Sequence, residues 1–325
     1  MARSQSHRSG AAPPEVSVVV ATRDRADSVA TLLDALERQT LSRERFEVVV
    51  VDDGSGDEGA SVRADPRVDA ALRHERPRGP ASARNTGWRA AAAPLIAFTD
   101  DDCRPEPGWL EAGLRAHEAT PGAFVQGRTR PEPAEEARLA HPRARSIRVE
   151  RLGPFFETCN MFYPRELLER VDGFDESIPT AGSEDTDLAL RLLETGAGAV
   201  YAPDALVNHA VHDFTLAGAV RFTVRWRTLV RLVKRHPALR RAFPWRGLIW
   251  RETHARLILA LAGLALARRE RAFLLWCLPY LTYRHGWTPT GLARALRELP
   301  GVAAVDVAEL LVLACASARH RRVLL

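Results

Sequence analysis

The sequence predicts an α/β fold: a mostly parallel sheet flanked by helices, followed by a helical C-terminal extension. Three observations carry this. Short apolar runs alternate with segments of helical period through the first part of the chain. Those runs are apolar throughout, as strands covered on both faces must be. After about residue 214 the pattern changes to helices studded with arginine. A chain of 325 residues is long enough for one large domain and an appendage.

EVSVVVAT (15–22) reads as the first strand, ending in a polar turn. ADSVATLLDALERQ (26–39) places Val29, Leu32, Leu33 and Leu36 on one helical face. FEVVVVDDGS (46–55) is a β-branched run that ends in acids and glycine. ARNTGWRAAAAP (83–94) reads as a helix stopped before Pro94, PLIAFTDDD (94–102) as a buried strand and PEPGWLEAGLRAHEA (105–119) as a helix. Residues 128–158 are rich in Arg, Glu and Pro and read as an irregular excursion. CNMFYPRELLERVDGFDE (159–176) returns to strand and helix. SEDTDLALRLLETG (183–196) is a helix with acids in its first turn and Gly196 at its end. AVYAPDALVNHAVH (199–212) is a strand leading into a segment with two histidines. Residues 1–14 read as a disordered lead-in, 15–213 as the α/β domain and 214–325 as the basic helical region.

Charge divides the same way. Residues 214–325 carry 20 Lys/Arg against 5 Asp/Glu, whereas residues 1–213 carry 26 against 36. An acidic half suits a cation site and a basic half suits an anionic surface. The apolar runs 257–267 and 272–281 are shorter than the roughly 20 residues of a spanning helix. A basic helix followed by short apolar runs fits attachment to a membrane surface. A plain helical subdomain would read much the same. The basic residues are interleaved with aliphatic runs rather than stacking aromatics, which argues against nucleic acid. Cys103, Cys159, Cys277 and Cys315 are scattered with no CxxC pair, so neither a zinc ribbon nor a disulfide framework is indicated. The N-terminus has no secretory pattern, and the expected location is cytoplasmic, peripheral at the inner face of the membrane.

The chemistry gathers where strands end. Parallel sheets bind ligands at the carboxyl ends of their strands, and here those ends carry Thr22 and Asp24, Asp52 and Asp53, and Asp100 to Asp102. Two unit charges about 4 Å apart repel by about 4 kcal/mol at an effective dielectric near 20. Three adjacent carboxylates therefore call for a cation, and Mg²⁺ or Mn²⁺ takes oxygen ligands while sharing its shell with phosphates. A solvated acidic loop is the plain alternative. Asp53 can accept from a base ring N–H or a ribose hydroxyl, although Asp and Gly leave many strands this way. Arg84 can pair with a phosphate or with an acid of the site. Glu184 and Asp185 open a helix, where acids meet the helix dipole favourably or serve as a general base. His209 and His212 can complete a metal shell or bind a diphosphate.

Taken together, VSVVVATRDR, VVVVDDGS, GPASARNTGW, IAFTDDDC, CNMFYPRELLERVDGFDE and EDTDLALRL resemble, in order, the motifs of family 2 glycosyltransferases of the GT-A fold. They cover roughly residues 16–212. The resemblance implies a nucleotide-sugar donor (UDP-, GDP- or dTDP-linked), Mn²⁺ or Mg²⁺, and inverting transfer to an acceptor hydroxyl, with lipid-linked and polysaccharide acceptors both open. By position it places Thr22, Asp24, Asp53, Arg84, Asp100 and Asp101 at the donor. Asp102, Asp100 and His209 fall at the metal, with His212 a close competitor. Asp185 falls at the catalytic base, with Glu184 beside it. The QxxRW motif of processive members is absent; RFTVRWRT (221–228) has no Gln three residues before Arg225. That implies transfer of single sugars. Two other readings remain: a nucleotidyltransferase, disfavoured because VVVATRDRADS lacks the Gly-rich phosphate loop, and a non-catalytic binding protein that keeps the fold.

Overall fold

The computed structural model describes residues 12–56, 59–178 and 180–325, so most of the lead-in expected over 1–14 lies outside the described residues. The chain forms two compact units. The first spans residues up to 138 together with 145–212. The second joins 139–144 to 213–325.

The first unit is built on strands β1 (Val16–Thr22), β2 (Phe46–Asp52), β3 (Ala70–Arg73), β4 (Leu95–Asp100), β5 (Cys103–Pro105), β6 (Ala123–Pro131), β8 (Asn160–Pro164) and β9 (Gly198–His209). The two-residue β7 (Ala144–Arg145) lies outside their sheet. The sheet order is β3-β2-β1-β4-β8-β6-β9-β5. Its first four strands are mutually parallel. β8 runs antiparallel to both β4 and β6, β6 and β9 are parallel, and β5 closes the far edge antiparallel to β9. The sheet is therefore mixed, with its parallel half where the valine-rich runs stand.

Helices cover both faces, which is why those runs carry no polar alternation. Along β1, Val16, Val18 and Val20 join Leu32, Leu33 and Leu36 of α1 (Ala26–Glu37) and Leu110 and Leu114 of α4 (Trp109–Ala119) in one core layer. Val19 faces the other way, with Trp88 of α3 (Pro80–Ala90), Leu167 and Leu168 of α5 (Arg165–Arg170), and Leu188 and Leu192 of α6 (Glu184–Glu194). A short α2 (Gly59–Arg63) follows β2.

Several expectations need correction. Asp101 and Asp102 are not strand residues; β4 ends at Asp100 and the next two aspartates form the turn into β5. Residues 128–131 of the expected irregular stretch belong to β6. The parallel pairing of β6 with β9 shifts register between Gly127 and Arg128. The helix read over 83–94 spans Pro80–Ala90. Gly79 turns the chain at φ 93° and Pro80 starts the helix, where its missing N–H costs no bond. The helix read from 105 begins at Trp109, after the prolines.

The second unit is helical: α7 (Leu216–Thr223), α8 (Arg227–Arg235), α9 (Pro244–Gly247), α10 (Glu252–Leu266), α11 (Leu278–Thr282) and α12 (Pro289–His320). Leu257 and Ala260 of α10, Tyr280 of α11, and Leu299, Val302 and Leu310 of α12 share a core. Among the described residues α12 is one helix long and apolar enough to cross a membrane; the sequence pattern drew attention only to the shorter runs 257–267 and 272–281.

Packing in the first unit is close enough to test. A Cβ built on Gly113 of α4 would lie 2.2–2.6 Å from the ring of Phe162. That ring is fully buried and sits 5.2 Å from the ring of Trp109. Gly113→Ala should lower the unfolding free energy by about 1–3 kcal/mol through overpacking, read by urea denaturation.

Candidate active site

Register puts the acids at one edge. Thr22 of β1 is paired with Asp52 of β2, and Ala21 with Asp100 of β4. At the centre lies Arg84 of α3, whose side chain is 8% exposed. It donates to Asp100 Oδ1 at 2.8 Å and to Glu184 Oε1 at 2.9 Å. Burial alone would lower the pKa of its guanidinium, but the charges of Asp100 and Glu184 raise it above the ordinary value. The next residue, Asn85, clamps the 174–176 turn: its amide donates to the Phe174 carbonyl and to Glu176, and its carbonyl accepts from the Phe174 N–H.

The three aspartates differ sharply. Asp100 is partly open and paired with Arg84. Asp101 is buried, accepting from the Thr22 hydroxyl at 2.7 Å and from Arg25 at 2.9 Å. Burial pushes its pKa up to about 6, against the lowering effect of Arg25. Asp102 Oδ2 accepts from Arg25 at 2.9 Å and meets His212 Nε2 at 2.8 Å. Burial would raise the pKa of Asp102, but the His212 bond and the charges of His209, His212 and Arg25 hold it well below the usual carboxylate range.

Its other oxygen is the informative atom. Asp102 Oδ1 is buried with no hydrogen-bond partner among the described residues. His209 Nε2 lies 3.6 Å from it. The pairing of Cys103 with His209 across β5 and β9 brings them together. His209 Nδ1 lies 2.8 Å from the Ala210 carbonyl oxygen. In a neutral ring that acceptor takes the Nδ1 proton and leaves the Nε2 lone pair available to a metal. A buried carboxylate oxygen with no partner among the described residues, 3.6 Å from an imidazole nitrogen, is a donor pair that fits a divalent metal. Cys103 Sγ is also within reach of this pair. Burial keeps it a neutral thiol, and a hard, oxygen-preferring cation does not recruit it.

Asp53 is bound into a turn. It accepts from the backbone N–H groups of Arg78 and Gly79, each at 2.8 Å, and meets His74 Nδ1 at 2.7 Å. Asp52 accepts from Ser55 N–H and Arg63. Asp24 is exposed, has φ 54° and accepts from Gly56 N–H.

At the start of α6 the two acids part company. Glu184 is fully engaged by Arg84 and by the N–H groups of Gly182 and Ser183. Asp185 accepts from Thr186 N–H at one oxygen, and among the described residues no hydrogen bond reaches the other. Desolvation first, and then the Glu184 charge, raise the Asp185 pKa above the carboxylate range.

Among the residues singled out from sequence, Thr22 and Asp101 meet directly, as do Arg84, Asp100 and Glu184, and Asp102 with both histidines. Asp53 reaches Thr22 through its backbone, the N–H donating to the Thr22 carbonyl at 2.9 Å, and among the described residues no side-chain hydrogen bond joins Asp24, Asp53 or Asp185 to those groups. Arg25, His74 and Asn85 were not singled out. Arg25 and Asn85 stand inside matched motifs, TRDR and ARNTG, and that was the available signal. His74 follows the short β3 and had none.

Fold and site together define an α/β protein whose sheet edge collects carboxylates around a buried arginine and a cation-fitting Asp–His pair. Residues 17–174 match glycosyl transferase family 2, and this chain belongs to that family. A pre-mycofactocin glycosyltransferase of Mycobacterium tuberculosis is 31% identical over 218 residues, 62% of this chain and 44% of that protein. A validoxylamine A glucosyltransferase of Streptomyces hygroscopicus subsp. jinggangensis is 31% identical over 266 residues, 70% of this chain and 62% of that protein. The chain thus spans about half the length of these curated relatives. Mannosyltransferase PcManGT from Pyrobaculum calidifontis, solved with GDP-Man and Mn²⁺, superposes with a TM-score of 0.60 at 24% identity, covering 92% of this chain and 88% of that one. The likeness shows the GT-A fold.

The charge arrangement gives a stability contrast. Arg84→Met strands two carboxylates around a buried site and should cost about 3–5 kcal/mol. Arg25→Met removes a cation that is 46% exposed and should cost about 0–1 kcal/mol. Urea unfolding of both variants checks this.

Proposed function

We propose that the chain is a metal-dependent, inverting glycosyltransferase that moves one sugar from a nucleotide-diphospho sugar to an acceptor hydroxyl. The observation that carries the reading is the division of labour among its acids. Glu184 is immobilised, one Asp185 oxygen takes no hydrogen bond among the described residues, and Asp102 Oδ1 and His209 Nε2 face each other across 3.6 Å. Support also comes from relatives named as glycosyltransferases and from neighbours solved with GDP-Man and Mn²⁺ or with UDP.

Asp185 is the base. It takes the proton of the acceptor hydroxyl, whose oxygen bonds to the anomeric carbon as the bond from that carbon to the diphosphate oxygen breaks. Glu184 and Arg84 fix the first turn of α6 and so position Asp185. Thr22, Asp24, Asp53, Arg84, Asp100 and Asp101 form the donor side. Thr22 and Arg25 hold Asp101, while His74 and the 78–79 turn hold Asp53. Asp102 and His209, with Asp100, would hold Mn²⁺ or Mg²⁺, which when bound neutralises charge on a leaving diphosphate. The enzyme works at the cytoplasmic face of a membrane, on lipid-linked or polysaccharide acceptors, and has no nucleic-acid partner.

Asp185→Asn should lower the transfer rate by about 10²–10⁴ while leaving donor binding intact in a thermal-shift screen of UDP-, GDP- and dTDP-sugars with Mn²⁺. The sign of the pH dependence follows from the raised pKa of Asp185. Below that pKa the carboxyl holds its proton and cannot accept another, so the rate falls as pH drops. The rising limb should sit above the usual carboxylate range and disappear in Asp185→Asn. Transfer by that variant at the wild-type rate would remove the base assignment. Formation of a nucleotide sugar from nucleoside triphosphate and sugar phosphate would favour the nucleotidyltransferase reading.

A further inference from the structure

The helical unit shows its apolar residues on the outside. On α10, Ile258, Leu261 and Leu264 are exposed and follow one another at three-residue spacing, along one side of the helix. The chain then turns through Arg268, Arg269 and Arg271, all exposed. It returns through the 3₁₀ segment Arg271–Cys277, which exposes Leu274, Leu275 (63%) and Trp276. Gly263 fixes the two limbs side by side. A Cβ there would lie 2.6 Å from the Phe273 carbonyl oxygen and 2.8 Å from the Trp276 Cβ. The two apolar sets therefore belong to one hairpin with an arginine tip. Trp245 is 67% exposed, and it lines a cleft with Pro244, Glu252, Ala255 and Arg256, beside the start of α10. Trp245 and Arg246 both have left-handed backbone, φ 53° and 56°. Non-glycine residues adopt that conformation at a cost, and it persists where a structure holds it for a purpose.

Charge says what covers this face. Of the five acids in 214–325, Glu270 is exposed among the arginines of the tip, whereas Glu309 is 1% exposed and faces Arg251 and His254. Asp306 is half-buried and accepts from the Tyr280 hydroxyl at 2.8 Å. Glu252 and Glu298 are paired with Arg256 and Arg294. The tip, with Arg268, Arg269 and Arg271 against Glu270, thus keeps a net positive charge. We propose that the α10 hairpin, Ile258–Cys277 with Trp245, is a docking surface for an anionic lipid bilayer. Its leucines enter the acyl boundary, its tryptophans lie at headgroup level, and Arg268, Arg269 and Arg271 meet lipid phosphates. Two copies pressed together on this face would oppose like-charged arginine tips. Full insertion through α12 would carry Asp306 and Glu309 into hydrocarbon, away from the partners they have within the unit.

The proposal concerns binding alone, read without any donor, so its failure leaves the transferase reading intact. The test uses the full chain with vesicles of phosphatidylcholine, with and without phosphatidylglycerol. Sedimentation with vesicles should require phosphatidylglycerol and weaken as salt rises. Leu264→Ser/Leu275→Ser/Trp276→Ser should bind at least about tenfold more weakly with unchanged far-UV circular dichroism. Arg268→Gln/Arg269→Gln/Arg271→Gln should lose binding with the apolar surface intact. Brominated acyl chains should quench tryptophan emission in the wild type and quench it less in Trp276→Phe. Equal or absent binding to both vesicle types, or wild-type binding by either triple variant, overturns the proposal. So does retention in vesicles after alkaline carbonate, which marks a spanning helix, or a dimer that the apolar variant dissociates, which marks a second copy as the occupant.

Discussion

A single buried guanidinium organises the first unit. Arg84 bridges Asp100 at the end of β4 and Glu184 at the start of α6. It therefore ties a strand end and a helix start to α3. A buried charge survives only when its partners satisfy it, and removing one side of such an arrangement costs more than the arrangement contributes as a whole. The constraint spreads along α3, because Asn85 fixes both backbone polar groups of Phe174. From the other side, Arg191 of α6 bonds Asp187 and the carbonyls of Val171 and Gly173. The 171–176 turn is thus gripped by two helices, and α6 is held at its first turn. Asp185 inherits a fixed position from its neighbours while making few bonds of its own.

The same logic separates the three consecutive aspartates. They cannot share one environment without repulsion, and the turn after β4 gives each a different one. Asp100 faces Arg84. Asp101 is drawn inward to Thr22 and Arg25. Asp102 stands between His209 and His212, with Arg25 on its flank. Of the three, Asp102 alone has a buried oxygen without a partner among the described residues, which is why the proposed cation site centres there and not on the triplet as a whole.

Much of this was legible in the sequence for one reason: strands buried on both faces cannot hide their valines. β1, β2 and β4 were read from such runs, and their carboxyl ends carried the acids. Legibility failed where strands were short or polar. β3 and β5 have four and three residues, too few for any periodicity. β6 ends in QGRTRP, where Thr129 is fully buried and Arg128 and Arg130 are partly open. That alternation reads as a loop when the register shift at Gly127 is unknown. The uncertainty between His209 and His212 had a physical source as well, since the two rings meet opposite oxygens of one carboxylate. Arg25 was invisible because nothing distinguishes an inward arginine from a solvated one until Asp101 and Asp102 are folded against it.

In the basic unit the informative feature was the inward turn of Asp306 and Glu309, which no count of charges reveals. In the acidic unit the central claim is that Asp102 and His209 hold a divalent cation that contacts a nucleoside diphosphate. Pulsed electron paramagnetic resonance of Mn²⁺ bound to the full chain with UDP or GDP tests it most directly. Imidazole nitrogen coupling that is lost in His209→Ala is expected, together with phosphorus coupling from the diphosphate. Bound Mn²⁺ showing neither coupling in the wild type would contradict it.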